Sequence, residues 1–157
     1  MGQQTRNWFL FTIGLFTIMF LIIPLKRIQR FLSFGLCLGF VQAIILNWIT
    51  TGVKKLYYLR GDKKVLGIPV FTALSWISPT IFFAHYFPRW KSWFYKVGYI
   101  TFFAAGTTLV QYLQDRIGMW KNLKWSALHT FFLSILTHSL MTLSLPHFGC
   151  FHESSDD

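Results

Sequence analysis

Long apolar stretches alternate with short basic connections along this chain, and that rhythm sets the first expectation. Five such stretches, residues 8–25, 31–50, 65–87, 94–113 and 125–145, are each about long enough to cross a bilayer. An α-helix rises about 1.5 Å per residue, so about 20 apolar residues match a hydrocarbon core of roughly 30 Å. The pattern predicts an all-α fold: a transmembrane helix bundle of about five spans in one integral membrane domain, residues 1–157. The longest connection, residues 51–64, is too short to bury a core of its own. An acidic tail, residues 146–157, follows the last span.

The stretches differ in ways that assign them places. The first is aliphatic and aromatic, with Thr12 and Thr17 its hydroxyls, and reads as a peripheral helix. Pro24 should stop it just ahead of Lys26 and Arg27. The second carries Gly35-Leu-Cys-Leu-Gly39, with Gln42 and Ala43 on the same helical face. Small residues let another backbone approach, and a buried Gln then seeks a bonding partner. Gly35, Gly39 and Gln42 are therefore a candidate helix-association face, serving either packing inside the bundle or contact with another chain. The third stretch holds Pro69 near its start and Pro79 deeper. Pro79 should kink the helix and leave the Ser75 carbonyl without its usual donor. The third also contains Trp76, whereas the other tryptophans cluster near expected helix ends, as in an aromatic belt.

The fourth stretch places Gly98, Thr101, Ala105, Thr108, Tyr112 and Asp115 at helical spacing, with Gln111 and Gln114 nearby. The fifth has a stripe of Thr130, Ser134, Thr137, Met141 and Ser144, flanked by His138, with His129 on the opposite face. Two small polar stripes on consecutive helices predict hairpin packing. The connection Lys54–Lys64 mixes basic residues with Tyr57 and Tyr58, which predicts a short amphipathic segment on the membrane surface, ending in a Gly61-Asp62 turn.

Composition fits this picture: 54% of residues are hydrophobic and only 13% charged, against about 25% charged in soluble domains. The net charge of +10 comes from the connections and their edges. With five spans, one side holds nine Lys and Arg (Arg6, the 54–64 group and the 116–124 group) and the other six (26–30 and 89–96). The bias predicts a plasma membrane protein with a cytoplasmic N-terminus and an outward C-terminus. The basic connections would contact anionic lipid headgroups, and nothing resembles a nucleic-acid module. Cys37 falls mid-span and Cys150 in the tail, at depths that exclude a bond between them.

Candidate chemistry is sparse. Asp62 and Asp115 are the acids outside the tail, so paired carboxylates for acid–base work are missing. No P-loop, nucleophile elbow or zinc-protease signature occurs, and the expectation is a protein that is not an enzyme, with no cofactor and no metal. His147, Cys150, His152 and Glu153 gather soft ligands in the tail, but at no spacing of a closed structural site. Gln111, Asp115, His129 and His138 remain as a candidate polar path between the fourth and fifth spans. The favoured expectation is a non-enzymatic accessory or complex subunit acting through helix–helix contacts, with a membrane-protein partner or a second copy. The alternative is a small channel or transporter moving protons, ions or a small solute along the polar path.

The run Leu-Val-Gln-Tyr-Leu-Gln-Asp-Arg at 109–116, then Trp120, Lys124-Trp125 and His129 ahead of an apolar span, carries a resemblance. Together with the basic Tyr-rich connection and the proline-bearing third span, it resembles a family of uncharacterised small multi-spanning membrane proteins of spore-forming Firmicutes. The likeness covers about residues 31–145 and implies a bacterial plasma membrane protein. It implies no activity and no functional residue.

Overall fold

The structure is a computed structural model and describes residues 2–61 and 64–149. The described residues are 76% helical, in agreement with the all-α expectation, and form five helices. Helix α1 spans Gln3–Ile22 and α2 spans Leu25–Val53. Between them Pro24 ends one helix and starts the next, with the Arg27 and Ile28 amides donating to its carbonyl at 2.9 and 3.0 Å. The residues from Lys26 to Arg30 are therefore helical, not a connection.

Helix α2 widens to π-type hydrogen bonding over Gly35–Val41 and Trp48–Val53. Side chains help set the second of these. Thr51 Oγ1 donates to the carbonyl of Asn47 at 2.6 Å, and Asn47 Nδ2 donates to that of Ala43 at 2.7 Å. Each competes with the backbone amide for an i−4 carbonyl.

Strand β1, Tyr57–Leu59, follows. The expectation of an amphipathic surface segment is corrected here, because β1 pairs antiparallel with β4, Trp120–Asn122, placing Tyr57 opposite Asn122 and Leu59 opposite Trp120. Two further strands, β2 (Lys64–Val65) and β3 (Ile68–Pro69), form a hairpin. Its turn residues Leu66 and Gly67 have φ of 53° and 81°, the left-handed pair that a two-residue hairpin turn demands. The third helix, α3, thus begins at Val70 rather than 65 and runs to His85.

Helix α3 is the axis of the fold. Thr72, Ala73, Ser75, Ile77, Ser78, Thr80, Ile81, Phe83 and Ala84 are all buried. Its regular bonding breaks at Trp76, whose amide donates to Ala73 at 3.2 Å. The break sits where Pro79 denies the Ser75 carbonyl a donor. Helices α1 and α2 pack on one side of α3. Polar side chains tie them: Thr12 Oγ1 donates to Phe71 O at 2.9 Å and Ser78 Oγ to Leu15 O at 2.9 Å. Helix α4, Trp93–Arg116, meets α3 through rings, with Phe83 5.3 Å from Tyr99 and 5.2 Å from Phe103. Tyr99 also donates to Phe83 O at 3.0 Å. Helix α5, Ala127–Ser144, continues as a 3₁₀ turn to Phe148 and packs along α4.

Hairpin packing of α4 on α5 therefore matches expectation, but not through the expected face of α4. Gly98, Thr101, Ala105 and Tyr112 are exposed, while Ala104, Gln111 and Gln114 are buried. The rings of Tyr99 and Phe103 turn the helix, because they gain most by meeting Phe83 and His138.

The two ends of the bundle are tied separately. At one end Trp8 Nε1 donates to Arg60 O at 2.8 Å and β1 pairs with β4, gathering the start of α1 and both long connections. At the other, Arg30 reaches Gly149 O at 3.5 Å and Phe34 packs on Phe148 with ring centres 5.4 Å apart. Helices α1, α2 and Ala127–Phe148 are long and apolar enough to cross a membrane, and α3 is apolar but shorter. Much of the outer surface is apolar: Leu21 is 80%, Phe102 72% and Leu143 70% exposed.

Candidate functional site

A cavity of about 280 Å³ lies beside the break in α3, walled by α1, α3 and α4 and closed below by Trp120 and Thr130. Trp8, Phe11, Trp76, Phe102, Phe103 and Trp120 contribute aromatic rings to its walls. Thr72 and Ser75 of α3 and Gln111 and Gln114 of α4 supply the polar atoms. Among the described residues, no charged side chain lines it. A smaller cavity of about 90 Å³ lies between α2 and α5, lined in part by Gln42, Asn47, Tyr57 and Ser134. The two share Trp76, Thr107, Trp120 and Thr130 as walls.

The larger space has a physical origin in three features. Pro79 breaks α3 and turns Trp76 sideways between the two cavities. Gly106 puts no side chain into the gap, and a Cβ built there meets nothing within 4 Å. Trp8 is held 1% exposed by its bond to Arg60 O and cannot collapse inward.

Polar atoms in the site are under-satisfied. Among the described residues, Gln111 Oε1, Thr72 Oγ1, Thr80 Oγ1 and Gln42 Oε1 are buried without a hydrogen-bond partner. Leaving such a group without a partner costs about 1–3 kcal/mol; these atoms are enclosed by protein and do not open onto the cavity.

A network fixes the geometry at the lower edge. Asn122 Nδ2 donates to Asp115 Oδ2 at 3.1 Å, while Asn122 Oδ1 accepts from Trp120 Nε1 at 2.8 Å and Gln111 Nε2 at 3.3 Å. Nearby, Tyr57 donates to Asn47 Oδ1 at 2.8 Å and accepts from Thr50 at 2.6 Å, with its ring stacked 4.1 Å from Trp120. Burial pushes the Tyr57 hydroxyl up to about 12, against a smaller opposing effect from the Thr50 bond.

The residues expected to matter fare unequally. Gly35 and Gly39 are buried against α3: a Cβ on Gly35 would lie 2.8 Å from Ile81 Cγ1, and one on Gly39 2.8 Å from the Trp76 carbonyl oxygen. Their face is spent inside the chain, which corrects the reading of it as a surface for another chain. Gln42 keeps an unpartnered oxygen and lines the smaller cavity. Gln111 and Asp115 are brought together through Asn122, but the two histidines do not join them, which corrects the expected polar path. His129 is exposed and spends its ring on the cap of α5, with Nδ1 3.3 Å from the Ser126 amide. His138 is buried between Phe83 and Phe103, with Nδ1 2.7 Å from Ser134 O. Neither lines the cavity. Cys150, His152, Glu153 and Asp62 lie outside the described residues.

Sequence reasoning missed Thr72, Trp8 and Trp120 as wall residues. The available signal was Trp76, the one tryptophan inside a span, three residues ahead of Pro79. No protein-family model, curated protein or solved structure matches the chain.

Proposed function

We propose that this chain is a multi-pass integral membrane protein, not an enzyme, that works by holding a small lipid-soluble molecule in the cavity between α1, α3 and α4. The observation that carries the reading is the largely apolar space of about 280 Å³, lined by aromatic residues together with Thr72, Ser75, Gln111 and Gln114. Ordinary small-ligand pockets occupy roughly 300–1,000 Å³ and combine apolar walls with a few convergent polar groups. The apolar outer surface and the three long apolar helices support a bilayer setting. The binding reading displaces helix–helix association because the Gly35 and Gly39 face is already occupied by Ile77 and Ile81.

The proposed orientation has the N-terminus in the cytoplasm. Arg6, Lys54, Lys55 and Arg60 share an end with Arg116, Lys121 and Lys124, as the Trp8–Arg60 bond and the β1–β4 pairing support, and that end is the richer in Lys and Arg. Its basic side chains would rest on anionic headgroups.

Native mass measurement tests the binding reading. Protein extracted from its own membrane in mild detergent should retain a small molecule of fixed mass. Gly106→Leu, which adds a side chain at the cavity's edge where a Cβ meets nothing within 4 Å, should lose it. A wild-type protein that carries only membrane phospholipid, in the same amount as the variant, would sink the reading.

A further inference from the structure

We propose that the end of the bundle opposite the β1–β4 pair docks on anionic phospholipid headgroups through the connection between α3 and α4. The rings of Trp90, Trp93, Phe94 and Tyr95 enter the headgroup layer, and Lys26, Lys91 and Lys96 pair with phosphates. The inference rests on the membrane reading above and not on the cavity, and it concerns the end poorer in Lys and Arg.

The connection is anchored at its start. Phe87 is buried, with its ring centre 5.7 Å from that of Phe83 and 5.8 Å from that of Tyr99. Beyond it the backbone closes on itself. The Arg89 amide donates to Phe87 O at 2.8 Å and the Lys91 amide to Pro88 O at 3.3 Å. As α4 begins, the Tyr95 and Lys96 amides donate to Ser92 O at 3.1 and 3.4 Å. This local bonding holds a turn whose rings stay uncovered. Trp90 is 85% exposed, the most of any large apolar residue described, and Trp93, Phe94 and Tyr95 are 73%, 75% and 62% exposed. Adjoining rings left bare in this way form a patch that marks an interaction surface. Trp and Tyr, each with an apolar body and a polar edge, settle at the boundary between headgroups and acyl chains.

Charge selects the headgroup. Lys91 is exposed between Trp90 and Trp93, and Lys96 stands in the first turn of α4. Lys26, also exposed, lies at the start of α2. Phe31 of α2 sits 6.0 Å from His85 at the end of α3, ring centre to ring centre, which puts that start at the same end of the bundle. Among the described residues the only acid is Asp115, and its bond to Asn122 of β4 keeps it at the opposite end. A zwitterionic headgroup brings its own cation to each phosphate, and an anionic one does not. Each Lys near an anionic surface is worth about fivefold in affinity. The tail acids Glu153, Asp156 and Asp157 follow, in sequence, the Gly149 that Arg30 ties to this end, and they compete for the same cations.

The test uses the full chain in vesicles of mixed phosphatidylglycerol and phosphatidylcholine, with one of the two lipids at a time brominated high on its acyl chains. Bromine quenches nearby indoles. The signal of this end is the difference between wild type and a variant carrying Trp90→Phe with Trp93→Phe. That component should be quenched more by the brominated anionic lipid, with an apparent preference of about five- to tenfold. Lys91→Gln with Lys96→Gln should bring the preference close to one, and high salt should do the same in the wild type. Lys121→Gln with Lys124→Gln, at the other end, should leave it unchanged. Equal quenching by the two lipids in the wild type would overturn the anionic selection. A preference that appears only once residues 150–157 are removed would overturn it as well and make the tail the occupant. If neither lipid quenched Trp90 and Trp93 while the other tryptophans responded, the rings would be covered by protein, as in contact with a second copy, and the lipid-docking surface would be refuted. Failure of the chain to enter vesicles at all would remove the membrane reading itself.

Discussion

Helix α3 meets its neighbours in two opposite ways. Toward α2 it is packed so closely that Gly35 and Gly39 have no room for a Cβ, and backbone lies against backbone at Trp76. Toward α4 it packs at Phe83 but stands off near Trp76, leaving a cavity of about 280 Å³ bordered by Gly106, where a Cβ would meet nothing. Both faces are polar in part and both belong to one proline-broken axis of the bundle. The difference shows how glycine serves two ends: at a seam it removes bulk so that helices touch, and at a cavity it removes bulk so that they do not.

Breaking the seam should have the largest effect. Gly39→Val drives a side chain into the Trp76 carbonyl and the Thr80 hydroxyl, 2.8 and 3.0 Å from the Cβ position. A backbone oxygen cannot turn aside, and the expected loss of stability is about 3 kcal/mol or more. Gly35→Ala meets the end of Ile81 instead, at 2.8 and 3.1 Å. That side chain can rotate, so the loss should be about 1 kcal/mol. Unfolding by denaturing detergent, followed by circular dichroism, ranks the pair; equal losses would show that α2 and α3 are not in backbone contact.

Next in size is the polar cluster under the cavity. Tyr57→Phe removes the donor to Asn47 Oδ1 and leaves that oxygen buried, at an expected cost of about 1–3 kcal/mol. Its pH dependence carries a sign. The folded protein holds the Tyr57 proton up to about 12, above the ordinary value of 10.0. The folded state therefore binds that proton more tightly than the unfolded state does. The contribution is fully present below pH 10 and is lost as pH rises toward 12, by about 2–3 kcal/mol. Comparing wild type with Tyr57→Phe across that window isolates it. A gap between the two that stays constant from pH 9 to pH 12 would show that Tyr57 is not desolvated.

How much of this contrast can be read in the sequence depends on which face is considered. The seam is legible: Gly35 and Gly39 at four-residue spacing, and Pro79 four positions after Ser75, mark close approach and a break by local rules. Gln111 and Gln114 are legible too, as amides that an apolar helix must bury toward something. The cavity is not. It arises from Trp8 being pinned by a carbonyl fifty-two positions away at Arg60, and from β4 carrying Trp120 and Asn122 under α4 through pairing with β1. Neither contact leaves a periodic trace. The face of α4 was misread for a related reason: small residues at Gly98, Thr101 and Ala105 look like an interface, but the rings of Tyr99 and Phe103 decide the rotation.

The smallest expected effect is the sharpest comparison. Gly98 and Gly106 lie on the same helix, each with nothing within 4 Å of a built Cβ. Replacing either by Leu removes a glycine from a helix interior and should stabilise the fold by about 0.5–1 kcal/mol. On stability alone the two variants should be nearly alike. They differ in place: Gly106 lines the cavity and Gly98 does not. In native mass measurement, Gly106→Leu should therefore lose the small molecule that the wild type retains, while Gly98→Leu should keep it. If both variants lost it, the effect would belong to the exposed surface of α4 rather than to the cavity. If both kept it, the molecule would be held elsewhere, and the open side of α3 would be only a gap that packing leaves unfilled.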